Sequence, residues 1–148
     1  MPYLTLPLSD FGPITEVLIG VTNAKRSLLE KHNMPVPARV SARGLIDTGA
    51  SLSLVDPKIP QQLGLSPTGK VSIKTVSTGH ETHDCNEFDV SITLLNREDE
   101  IELLFPYTPV AESTFHPAEG CEVIIGRNIL QDCLFIYDGR ARTFSFAY

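Results

Sequence analysis

An all-β fold is what this sequence predicts, and three observations carry that expectation. Apolar residues alternate with polar ones in several short runs, such as Val71 to Val76 and Phe88 to Leu95, which is the period of a half-buried strand. Eleven prolines and ten glycines are scattered along the 148 residues, so many short elements are joined by turns. Helical spacing is confined to one stretch and two brief turns, and no internal repeat is present.

Taken in order, residues 1–13 read as an extended arm punctuated by Pro2 and Pro7, lying on the domain or on a partner. The domain proper spans residues 14–148. Ile14 to Val21 is β-branched and loosely alternating, a strand. Asn23 is the expected cap of a helix from Ala24 to about His32, closed by Pro35 and Pro37, with Leu28 and Leu29 covering the barrel or a subunit edge. Arg39 to Ile46 is the next strand, and Leu52, Leu54 and Val55 mark another. Pro57 to Leu63 suits a brief helix ended by Gly64. The polar run Ser77 to Asp84 separates two strands as an exposed hairpin. Ile101 to Phe105 is a strand, and Tyr107 to Gly120, with Pro109 and Pro117, is expected to be an irregular loop. Glu122 to Ile125 reads as a buried strand and Arg127 to Gln131 as a helical turn. Leu134 to Tyr137 and Thr143 to Tyr148 form a hairpin about Asp138-Gly139.

Bulk properties narrow the function. A chain of this length is one domain with a core that needs no staples. A net charge of -6 argues against a nucleic-acid surface, which requires a basic stripe. No apolar run approaches the ~20 residues of a membrane-spanning helix, so no membrane partner is expected. Cys85, Cys121 and Cys133 are odd in number and lack ligand-like spacing, which suits free thiols in a reducing compartment. The amino terminus has no basic region of a signal peptide, and the cytoplasm is the expected location.

The chemistry concentrates at Asp47-Thr48-Gly49-Ala50-Ser51, preceded by Leu45 and Ile46. An apolar strand seats the carboxylate at the floor of a cleft, where its environment tunes it. The small, hydroxyl-rich turn that follows brings hydrogen-bond donors to it. A structural aspartate closing a tight turn is the competing explanation. A second segment, Val123-Ile124-Ile125-Gly126-Arg127-Asn128-Ile129-Leu130, tips the balance: two apolar residues and a glycine lead into a short helix.

Together the two segments resemble the retropepsin-like aspartic proteases, the single-lobe relatives of pepsin and of retroviral proteases. The resemblance implies a closed β-barrel, one lobe per chain, with a short helix after Gly126. It implies that Asp47 is the catalytic acid, paired with its copy in a homodimer and acting on a peptide or protein substrate without metal or cofactor. Thr48 corresponds to a threonine whose hydroxyl reaches the partner's backbone. Gly49 and Ala50 keep the floor of the site small, and Ser51 is placed to hydrogen-bond Asp47. Ile124, Ile125, Gly126, Arg127 and Asn128 form the second structural motif. Retroviral relatives pair the arginine with an aspartate where this chain has Ser51, so Arg127 needs another partner, Asp56 or a carboxylate across the interface. Thr78, Gly79 and His80 fall at the tip of the expected flap. The closing hairpin resembles that of pepsin lobes, and Phe144, Phe146 and Tyr148 alternate as an aromatic face for a partner.

Two other readings compete. One is a catalytically silent module that keeps the fold for dimerisation or peptide binding. The other is a metal site at His80, His83 and Cys85, weakened because His80 falls on the opposite strand face from the other two. Asp138 lacks a following threonine-glycine pair and reads as a turn residue, which leaves a second copy as the source of a second acid.

Overall fold

The structure, a computed structural model, describes residues 3–74, 79–98 and 100–148. Six strands close a barrel: β2 (Ile14–Gly20), β3 (Val40–Ile46), β8 (Val123–Ile125), β4 (Ser53–Val55), β7 (Ile101–Glu112) and β6 (His83–Asn96), which pairs back onto β2. The expected all-β barrel is therefore present. Its interior is filled by alternating side chains from each strand, Val17, Ile19, Val55, Val110, Val123 and Ile125 among them, each fully buried. Gly44 faces Val17 in this interior, where a Cβ would approach a valine methyl to 3.0 Å.

Strand β6 serves two layers. Its first residues pair with β5 (Gly69–Ile73) in a hairpin that stands off the barrel, and its later residues close the barrel against β2 and β7. It begins at His83, within the run expected to be a polar turn, because Ile73 and Val71 find cross-strand partners in His83 and Cys85. Val76 and Thr78 lie outside the described residues.

Strand β7 corrects another expectation. Tyr107 to Glu112, assigned to an irregular loop on account of its prolines, continues β7. Val90 pairs with Thr108 but Ile92 with Phe105, so Pro106 and Tyr107 together oppose Ser91. A proline has no N–H to give a ladder, and this bulge is where its absence costs nothing. The remainder of the expected loop holds a 3-10 turn over Pro117–Glu119, capped by His116 and ended by Gly120 in the left-handed region.

A second, three-stranded sheet packs outside the barrel in the order β1 (Tyr3–Pro7), β10 (Thr143–Ala147), β9 (Leu134–Asp138). Leu4, Phe144 and Phe146 are at most 1% exposed and fill the space between this sheet and the barrel, with Phe146 edge-on to Phe105. The expected aromatic face for a partner is thus turned inward, and Tyr148 likewise lies against Phe105, ring centroids 4.7 Å apart. The face is consumed by the chain's own core because β1 and β10 bring Leu4 and Leu6 opposite the same two phenylalanines. The turn joining β9 to β10 spans Gly139 to Arg142 rather than two residues, with the Asp138 carboxylate accepting from the Ala141 N–H at 2.8 Å.

Helix α1 (Asn23–Lys31) is capped by Thr22, whose hydroxyl accepts from the Lys25 N–H at 3.2 Å, one residue before the expected cap. No residue of α1 is buried and Leu28 is 57% exposed, so it does not cover the barrel. Helix α2 (Lys58–Gln62) follows β4, with the Asp56 carboxylate accepting from the Lys58 N–H. Among the described residues no helix is long and apolar enough to cross a membrane.

Candidate active site

The site is built where two segments 75 residues apart in sequence are stitched together. Strand β8 lies between β3 and β4, parallel to the first and antiparallel to the second. The chain leaving β3 at Asp47 must therefore loop over the end of β8 before returning as β4. The Asp47 N–H donates to the Ile125 carbonyl at 3.0 Å, extending the β3–β8 ladder by one residue. The turn then closes on itself, with the Gly49 N–H donating to Asp47 Oδ1 at 2.8 Å. A Cβ on Gly49 would sit 3.0 Å from that same oxygen, so the glycine keeps the carboxylate's approach open.

Gly126 is where the two segments touch most closely. A Cβ there would lie 2.7 Å from the Leu52 carbonyl carbon and 3.0 Å from the Ala50 oxygen, both main-chain atoms that cannot swing away. Helix α3 (Arg127–Leu130) starts directly afterwards, and the Arg127 N–H donates to the Ala50 carbonyl at 2.8 Å. The Arg127 guanidinium donates to the Thr48 carbonyl at 2.9 Å. Its partner is thus the turn itself and not Asp56, which is occupied capping α2. Ile124 and Ile125 flank the arrangement from β8, Ile125 inside the barrel and Ile124 toward the cleft.

A buried polar relay holds the base. Asn128 Oδ1 accepts from the Ser53 hydroxyl at 2.7 Å and from the Ser53 N–H at 2.9 Å. The Ser53 oxygen in turn accepts from the Gly126 N–H at 3.0 Å, and the Asn128 amide donates to the Pro109 carbonyl at 2.9 Å. Ser53 is fully buried and was absent from the sequence-based candidates. A lone serine between Leu52 and Leu54 is the only trace it leaves in the sequence. Ser51, by contrast, is exposed and makes no hydrogen bond to Asp47, whose Oδ1 accepts from the Gly49 N–H.

Asp47 is half-buried, while Thr48 and Gly49 are exposed beside it at the barrel rim. The carboxylate opens into a cavity of about 670 Å³ whose walls include Leu54, Val71, Ile73 and Ile124. A second cavity of about 850 Å³ shares Leu54, Ile73 and Ile124 with the first and extends toward Phe115 and Glu112, so the two form one groove. The β5–β6 hairpin roofs this groove. Gly79 takes φ +62° and forms a turn with His80 at the far end of that hairpin, and Thr78 lies outside the described residues. Among the described residues no three His, Cys, Asp or Glu side chains converge as metal ligands, so His80, His83 and Cys85 are not brought together. Cys85 lines the groove, as does Cys121; burial, then Glu112 and Asp84, push the Cys85 thiol up.

A retroviral aspartyl protease model matches residues 10–135. The chain belongs to the retroviral aspartyl protease family. One solved structure agrees at the level of fold: a retropepsin-like aspartic protease from Rickettsia conorii is 13% identical, with a TM-score of 0.58 over 99% of this chain and 91% of that one. EIAV protease bound to an inhibitor is 20% identical, with a TM-score of 0.41 over 81% and 86% of the two chains. The retroviral protease-like domain of Ddi1 from Leishmania major is 15% identical, with a TM-score of 0.44 over 86% and 83%. No curated protein matches the chain significantly. For this retropepsin-like chain, one barrel contributes one Asp47 to the groove, in an Asp-Thr-Gly turn locked against the Gly126 segment.

Proposed function

We propose that this protein is an aspartic endopeptidase whose active site forms when the Asp47 turns of two copies face each other. The observation that carries the reading is the Asp47 carboxylate, held by the Gly49 N–H and opening into a groove of about 670 Å³ walled by Leu54, Val71, Ile73 and Ile124. Two such carboxylates at close range share one proton, the established behaviour of aspartic proteases. The ionised member takes a proton from a bound water as it attacks the scissile carbonyl, and the protonated member hydrogen-bonds the carbonyl oxygen. No metal enters the reaction, and the proton belongs to the pair.

The remaining roles follow from position. Thr48 is exposed beside Asp47 and its hydroxyl is free of intrachain hydrogen bonds among the described residues, so it is available to the partner's turn. Ala50 presents its carbonyl to Arg127 and leaves the floor small. The hairpin ending at Gly79 and His80 closes over substrate, with β5 offering backbone pairing to an extended chain. The silent-module alternative draws on a flap more charged than retroviral ones and on an arginine lacking its family partner; Arg127 instead donates to the Thr48 carbonyl.

The test compares wild type with Asp47→Asn against a diverse peptide mixture from acidic to neutral pH, read by mass spectrometry. Cleavage is expected to fall by about 10²-fold or more in the variant. Equal cleavage by both proteins would refute the mechanism, and a dimeric wild type that cleaves nothing would favour the silent module.

A further inference from the structure

Val90, Ile92 and Leu94 of β6 belong to the barrel core, so the alternation of the strand puts Ser91 and Thr93 on its outer face. Ser91 and Thr93 are nevertheless only 2% and 1% exposed, and neither hydroxyl makes a hydrogen bond among the described residues. Buried hydroxyls elsewhere are used: Thr15 donates to the Leu95 carbonyl and Ser53 to Asn128. A buried hydroxyl without a partner is destabilising, and here two stand side by side on one strand face.

Both hydroxyls line a cavity of about 190 Å³ on the barrel wall, and α1 flanks this cavity without filling it. Arg26, one turn into α1, also lines it, and its Nε is buried with no hydrogen-bond partner. Arg39 enters from the residue before β3. A Cβ on Gly20 would lie 3.1 Å from both Arg39 Cγ and the Ser91 hydroxyl oxygen, so the glycine leaves room for the arginine beside the serine. Neither arginine forms an ion pair within the chain among the described residues. Asn23 brings the start of α1 to the same cavity, and the first turn has no acidic residue to offset the partial positive charge there. Glu102 is the one carboxylate among the lining residues, and it is exposed.

We infer that this cavity binds a phosphate group, which ties α1 to the barrel wall. Side-chain donors from α1, from β6 and from the residue leading into β3 share one small space, and an acceptor-rich tetrahedral anion satisfies them together. The planar fork of arginine matches phosphate oxygens in geometry as well as charge. The volume is below the ~300–1,000 Å³ of sites for whole small molecules, which suits a single phosphate group. The cavity shares no residue with the groove at Asp47, so the inference holds whether or not the chain cleaves peptides.

The test is titration calorimetry of the full chain with inorganic phosphate and, separately, with O-phosphoserine, in a fixed chloride background. Saturable binding is expected, with a melting temperature that rises with phosphate concentration. Affinity is expected to fall about tenfold or more in Arg26→Gln and in Arg39→Gln, and to rise in Glu102→Gln, which removes the repelling charge. Amide exchange in α1 should slow when phosphate is added to wild type and stay unchanged in Arg26→Gln. Tighter binding of O-phosphoserine would assign the site to a phosphate monoester, and the reverse order to the free ion. A wild type that takes up no phosphate, or Arg26→Gln and Arg39→Gln proteins that bind it as tightly, would overturn the site. Urea unfolding of each variant separates lost affinity from a lost fold. Should an arginine variant fail to fold, an affinity unmoved by Glu102→Gln at the rim would also count against the site.

Discussion

Asn128 Oδ1 receives both the hydroxyl and the backbone N–H of Ser53, 75 residues away, at 2.7 and 2.9 Å. Through Ser53 the bond chain reaches the Gly126 N–H, so the asparagine acts on the segment that supports Asp47 without touching the aspartate. Asn128→Ala leaves the buried Ser53 N–H without an acceptor. A loss of about 1–3 kcal/mol in unfolding free energy is expected, measurable by urea denaturation. Asn128→Asp keeps the acceptor but cannot donate to the Pro109 carbonyl, and it buries a charge. It is expected to be no better than Asn128→Ala, and a fully stable aspartate variant would contradict the assigned amide orientation.

Gly49 and Gly126 separate two kinds of glycine requirement. A Cβ at Gly126 meets main-chain atoms at 2.7 and 2.8 Å, so Gly126→Ala must move the β4 entry and should cost about 1–3 kcal/mol or more. At Gly49 the nearest atom is the Asp47 carboxylate at 3.0 Å, which can rotate. Gly49→Ala should therefore melt within a few degrees of wild type yet lose peptide cleavage. Parallel melting curves and cleavage assays read the difference, and a Gly49→Ala protein with full activity would show that the carboxylate needs no clearance there.

Burial, and then neighbouring Asp132, raise the Cys133 thiol to about 11, and its hydrogen donates to the Ile129 carbonyl at 3.3 Å. The folded state thus holds this proton more tightly than the unfolded chain does. Its contribution to stability is complete below the ordinary thiol range and is lost as pH rises through about 11. Native protein at pH 8 is expected to leave Cys133 unalkylated by iodoacetamide while urea exposes it, as peptide mapping would record. Cys133→Ala should flatten the alkaline part of the stability profile, and an unchanged slope would assign that loss to other groups.

Much of this architecture was legible in the residues. Alternation marked β2, β3 and the barrel half of β6, and Gly64 ended α2 where its left-handed backbone requires it. The Asp47 turn and the Gly126 segment were both recognisable because their side chains are chosen locally: small residues where backbones nearly touch, apolar ones where a strand enters the core. Prolines misled at β7, since whether Pro109 breaks a strand or keeps its place in one depends on the register of β6 opposite it, where it faces Asp89. Ser53 was passed over because its importance lies in an asparagine that only folding brings to it.

By itself, then, the sequence determined an all-β chain and the two segments that meet at its candidate site, properties written in short-range spacing and in the size of single side chains. The tertiary structure decided which faces those strands would bury. Phe144 and Phe146 alternate as a partner-binding stripe would, yet β1 lays Leu4 and Leu6 alongside them and the barrel closes over the cluster. Leu134 and Ile136 of β9, which no layer covers, are exposed instead. Periodicity specifies that a strand has two different faces, and only the layer packed across from it settles which one meets water.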